Sequence, residues 1–90
     1  GRSTSESVAA ALRDRGISTE VAPKADKFGK QIRYADRRGI PFVWFLDDAG
    51  GSVKDIRSGE QVAADPATWT PPEEDLRPRV RLTTTEENHP

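Results

Sequence analysis

Apolar and polar positions along the chain recur with two different periods, and glycine and proline mark the changes between them. Val8 and Leu12 are four apart with Ala9 and Ala11 beside them, which predicts a helix over residues 5–15. Ser3, Thr4 and Ser5 offer N-caps, and Glu6 follows Ser3 by three positions, as in a capping box. Gly16 stops the helix, and Arg13 and Arg15 place cations at its negative end. From Ile17 to Ala22 the period falls to two, with Ile17, Thr19 and Val21 set against Ser18 and Glu20. This predicts a short strand that ends at Pro23. Phe28, Ile32 and Ala35 then recur at i, i+4 and i+7. They predict a second helix over residues 26–38, with Asp26 as a candidate cap and Gly39 and Pro41 as its stop. Phe42 to Leu46 is apolar without alternation, the mark of a strand covered on both faces.

Asp47 to Gly51 reads as a turn. Val53–Ile56 and Glu60–Ala63 predict a hairpin around Arg57-Ser58-Gly59. Beyond Asp65-Pro66 the pattern thins. Trp69 reads as an anchor, because a solvated indole leaves a large apolar area in water. Pro71 to Asp75 predicts the opening of a short helix containing Leu76, with prolines early and acids in the first turn. Residues 83–90 are polar and read as a frayed, disordered tail. The order of helix, strand, helix, buried strand and hairpin predicts an α/β fold with a mixed sheet flanked by helices. No strand precedes the first helix, although a βαβ unit requires one. That strand is expected ahead of Gly1, so residues 1–82 read as one domain short of its first central strand.

Composition narrows the chemistry. A chain of 90 residues is one small domain, and at that size it buries roughly 60–65% of its unfolded surface around one modest core. No apolar run approaches the roughly 20 residues that span a bilayer, and no charged-then-apolar leader is present. The chain therefore reads as cytoplasmic with no membrane partner. It has no Met, so it reads as a segment of a longer polypeptide. The lack of Cys removes disulfides, thiolate metal sites and a Cys nucleophile. His89 is the single histidine and sits in the tail, so neither a multi-His metal site nor an internal His base can form within the chain. Asp47, Asp48 and Glu73 to Asp75 fall in turns, with no burial to raise a carboxylate pKa. Gly29-Lys30-Gln31 lacks the spacing of a phosphate loop. The sequence holds no self-contained active site and calls for no cofactor of its own.

Charge changes the picture more. Lys and Arg number 14 against 15 Asp and Glu, for a net charge of −1. Yet Lys24, Lys27, Lys30, Arg33, Arg37 and Arg38 crowd one stretch that holds only Asp26 and Asp36 as acids. On the second helix these cations form a stripe opposite Phe28, Ile32 and Ala35. Such a stripe attracts phosphate, and Tyr34 could stack on an unpaired base. Gln31 and Gln61 each carry a donor and an acceptor able to read a base edge. A solvated charged helix face is the plainer alternative, as is ordinary cross-strand pairing for Lys54, Arg57, Glu60 and Gln61.

Three separated motifs share a resemblance. Ala10-Ala11-Leu12-Arg13-Asp14-Arg15-Gly16-Ile17 resembles the first helix and turn of the anticodon-binding domain of class II aminoacyl-tRNA synthetases. Lys27 to Phe42 is similar to that domain's second helix and central strand, and Val53 to Gln61 to its closing hairpin. Lys30-Gln31 followed by Tyr34-Ala35-Asp36 is most similar to the histidyl members. The resemblance implies a three-layer fold and a C-terminal domain that grips the anticodon loop of histidine tRNA. It also implies a parent enzyme, expected as a homodimer, that uses ATP with magnesium in a separate catalytic domain. By position it implies RNA contacts from Lys30, Gln31 and Tyr34 on the second helix and from Lys54, Glu60 and Gln61 on the hairpin. Lys27 and Arg33 fall at phosphate contacts. The family's Gly–acidic–Glu turn is replaced here by Asp47-Asp48-Ala49-Gly50-Gly51. The same fold also serves as a protein-interaction or dimerisation module without tRNA readout.

Overall fold

A computed structural model describes residues 4–22, 27–46, 51–73, 75 and 79–83. Helix α1 spans Thr4–Asp14, strand β1 Ser18–Val21, helix α2 Phe28–Arg37 and strand β2 Phe42–Phe45. Strands β3 (Ser52–Asp55), β4 (Glu60–Ala63) and β5 (Arg79–Thr83) follow. The sheet runs in the order β1-β5-β2-β3-β4. β5 is parallel to both β1 and β2, whereas β3 runs antiparallel to both β2 and β4. The result is a mixed five-stranded sheet between two helices, as the alternation of periods predicts.

Both helices end through the backbone device that a following glycine permits. Gly16 takes φ 85° and Gly39 φ 70°, conformations that cost a residue with a Cβ more. Ile17 N then donates to Leu12 O at 3.0 Å, and Ile40 N to Ala35 O at 2.9 Å. Each bond reaches back across the turn, satisfies an orphan carbonyl and folds an apolar residue onto its own helix. The start of α2 differs from the expected one. Lys27 occupies the N-cap without a side-chain cap bond, and Asp26 lies outside the described residues, as do Ser3 and most of the Asp47–Gly51 turn.

Strand β2 divides the core. Its four residues are all buried, as a strand covered on both faces requires. Phe42, Trp44 and Leu46 join Val8, Ala9 and Leu12 of α1 on one side of the sheet. Val43 and Phe45 join Ala35 of α2 on the other, with Phe28 and Ile32 packed against them. Trp44 is fully buried, and a Cβ placed on Gly51 would come within 2.6 Å of its Nε1, so Gly51 makes room for the indole. Trp69 is half-buried and anchors as expected, edge-on to Phe42 at 5.2 Å and to Trp44 at 5.7 Å.

Three further expectations change. The hairpin connection is the four-residue turn Ile56–Gly59, closed by Gly59 N donating to Asp55 O at 2.7 Å. At Pro71–Glu73 and Asp75 no helix forms; Asp75 N closes a turn onto Pro72 O at 3.0 Å, while Leu76 and residues 84–90 lie outside the described residues. β5 lies between β1 and β2. Thr83, assigned to the tail, is buried as the last residue of β5.

A clamp holds the chain after Trp69 to the hairpin. The Arg57 guanidinium donates to Asp55 (3.0 and 3.1 Å) and to Asp75 (2.9 and 3.0 Å), and lies 5.1 Å from the Phe42 ring centroid. The hydrogen bonds from Arg57 hold both carboxyls below their ordinary value of 3.8. A carboxyl depressed in the folded state leaves the unfolded chain binding more protons in that range. Its stabilisation is therefore present above about pH 4 and fades as pH falls through the folded values. The stability difference between the native chain and Arg57→Gln, read from urea midpoints, is accordingly expected to shrink from about pH 6 to about pH 3. An unchanging difference contradicts the clamp.

Candidate nucleic-acid interface

Register assigns each polar side chain of the strands to one side of the sheet. Lys54 pairs with Val43 and Gln61, and so shares the α2 side with Ser52. Glu60 pairs with Asp55, which pairs with Phe42, so it lies on the α1 side. Seven of the eight expected contact residues therefore belong to one side or to α2 itself, and Glu60 stands apart. The alternation of a two-residue period makes this unavoidable, because Glu60 and Gln61 are neighbours in one strand.

Helix α2 turns Ala35 and Gln31 inward and leaves Lys30, Arg33, Tyr34 and Arg37 exposed. Lys27 is exposed at its N-cap. The cationic stripe opposite the apolar face thus exists as the spacing predicts. Lys54 crosses toward the helix, with Nζ 5.7 Å from the Phe28 ring centroid and a 3.1 Å bond to Gly59 O. Gln61 Nε2 donates to Ser52 Oγ at 2.8 Å, which leaves the amide oxygen outward.

Gln31 differs from expectation in its surroundings. It is 4% exposed, and its Oε1 accepts from Arg81 Nε at 3.3 Å. Arg81 is also buried. Its guanidinium pairs with Glu20 of β1 and lies 3.8 Å from the Tyr34 ring centroid. Arg38 sits 5.2 Å from the same centroid and 3.7 Å from Glu20. Tyr34 keeps 41% of its surface in solvent. The ring is thus held by two guanidinium groups, each fixed by a carboxylate, and the tyrosine does not have to be ordered at the moment a base arrives.

The family model of the anticodon-binding domain matches residues 2–67, which include α1, α2 and the hairpin. The chain belongs to that family. It is similar to histidine–tRNA ligases of Micrococcus luteus (69% identity over 83 residues, 87% of this chain) and Cutibacterium acnes (65% over 86 residues, 88%). The histidine–tRNA ligase of Thermobifida fusca is 55% identical over 71 residues, 76% of the chain. The chain spans 18%, 19% and 16% of the lengths of these relatives. No solved structure matches it.

For this anticodon-binding domain, sequence reasoning missed Arg81 and Arg38 as partners of Tyr34. The signal for Arg81 was present in Arg79-Val80-Arg81-Leu82-Thr83, whose alternation puts Arg81 opposite Val80 and Leu82. Among the described residues no group of three or more His, Asp or Glu side chains is placed to hold a metal ion. No described helix is long and apolar enough to cross a membrane.

Proposed function

We propose that the α2 side of this domain binds the anticodon loop of a tRNA, and that the tRNA is the one for histidine. The observation that carries the reading is Tyr34, half in solvent and backed by Arg81 and Arg38 on a cationic helix. An exposed ring with a fixed orientation is a stacking platform for an unpaired base. Lys54 and Gln61, on β3 and β4 of the same side of the sheet, offer a donor and an amide able to read base edges. Lys27, Lys30 and Arg33 hold phosphates and set the register of the backbone. Gln31 acts through Arg81, whose guanidinium it orients beneath Tyr34. Glu60 stands outside this surface.

The parent protein is a cytoplasmic, homodimeric histidine–tRNA ligase. It attaches histidine to its tRNA with ATP and magnesium in a domain separate from this one. The names of the relatives, and the small share of their length that this chain spans, support that reading. The contribution of this domain is to bind and orient the tRNA.

Fluorescence anisotropy of a labelled histidine anticodon stem-loop tests the reading. Binding is expected to weaken steeply between low and physiological salt, because each neutralised phosphate releases counterions, and a scrambled loop is expected to bind at least about tenfold more weakly. Equal binding of the two loops would reduce the domain to a non-specific or protein-interaction module.

A further inference from the structure

The two edges of the sheet are treated differently. At β1, Arg13 donates to Thr19 O at 3.1 and 2.8 Å and so blunts the edge. At the far side β4 has β3 as its only neighbour among the described residues, and all four of its residues are exposed. Val62, 50% exposed, leaves an apolar side chain on that open strand. An unprotected edge with an apolar residue is a template for another extended chain.

Next to this edge, on the α1 side, lies a groove of about 370 Å³ between Val62 and the segment Trp69–Glu73, floored by Phe42 and Val53. Its far wall is held in place. Arg15 Nη1 donates to Pro66 O at 3.0 Å and to Trp69 O at 2.6 Å. The Arg57 clamp fixes Asp75 beyond it. The rim is acidic: Glu60 and Glu73 border the groove with Asp55. Asp55 and Asp75 share Arg57, whereas Glu60 and Glu73 form no ion pair among the described residues. Such a rim repels phosphate and attracts Lys or Arg.

We propose that β4 and this groove form a docking surface for an extended polypeptide segment that carries an apolar side chain with basic ones two residues to either side. The segment pairs along β4, seats the apolar side chain between Val62 and Trp69, and sets its cations against Glu60 and Glu73. That spacing is required because residues two apart share a face of a strand, as Glu60 and Val62 do. The surface lies across the sheet from Tyr34, so it stands or falls independently of RNA binding by the α2 side.

The test is a titration of the isotope-labelled chain, followed by NMR, with the capped heptapeptide Ser-Lys-Thr-Val-Thr-Arg-Ser, whose Lys, Val and Arg share one face of a strand. Its counterpart with Glu at every basic position and a single-stranded RNA serve as competitors of other chemistry. Saturable shifts are expected at the amides of Glu60, Val62 and Ala63 and at the Trp69 indole, from the basic peptide alone. The doubly substituted Glu60→Gln/Glu73→Gln chain is expected to bind it about fivefold more weakly, and Val62→Ser also weakens it. Both changes fall on exposed side chains, and the unchanged spectrum elsewhere reports that the fold is kept. Shifts that map away from β4, equal binding of the acidic peptide, or RNA shifting Glu60, Val62 and the Trp69 indole would each overturn the proposal.

Discussion

Trp44→Ala is expected to unfold most of this domain's stability reserve, with a loss of about 3–5 kcal/mol. The indole is fully buried in a strand covered on both faces, and touches both the α1 core and Trp69. Alanine there leaves a cavity that the rigid sheet cannot close. Small domains hold about 5–15 kcal/mol in total, so the variant sits near or below the threshold for folding. Urea unfolding followed by circular dichroism measures it. A loss below about 1 kcal/mol would mean that β2 is not the centre of the core. Val62→Ala on β4 is the matched control, since its side chain is half in solvent and its loss is expected to be small.

Tyr34→Ala is expected to cost about 1–3 kcal/mol of RNA binding, roughly five- to a hundred-and-fifty-fold in Kd. The ring is the exposed part of the cluster formed with Arg81, Arg38, Glu20 and Gln31. Tyr34→Phe keeps the platform and should retain most of the affinity, whereas alanine removes it. Anisotropy with the histidine anticodon stem-loop separates the two. If phenylalanine fails as badly as alanine, the hydroxyl rather than the ring face makes the contact. If neither variant changes affinity, Tyr34 is not at the interface.

The elements with strong local signals were legible in the sequence. Phe42 to Leu46 reads as a buried strand because five apolar residues in a row suit no half-exposed element. Both helix ends are marked by a glycine that adopts positive φ. The basic face of α2 follows from helical spacing alone. What stayed hidden depends on contacts between residues far apart in the chain. β5 carries only Val80 and Leu82 as apolar residues among Arg and Thr, a weak strand signal by itself. Its central position follows from pairing with β1 and β2, about sixty and forty residues away. The burial of Gln31 has the same origin, since its partner Arg81 is fifty residues away. The resemblance implies RNA contacts from both Glu60 and Gln61 on the hairpin, yet a strand sends neighbours to opposite sides.

The central claim, that the α2 side of the sheet is the RNA-reading surface, is tested most directly by an NMR titration of the labelled chain with the histidine anticodon stem-loop. The account predicts shifts at Lys30–Tyr34, Lys54 and Gln61, with the Glu60–Val62–Trp69 side unmoved. Shifts confined to that opposite side, with Lys30–Tyr34 unmoved, would contradict it.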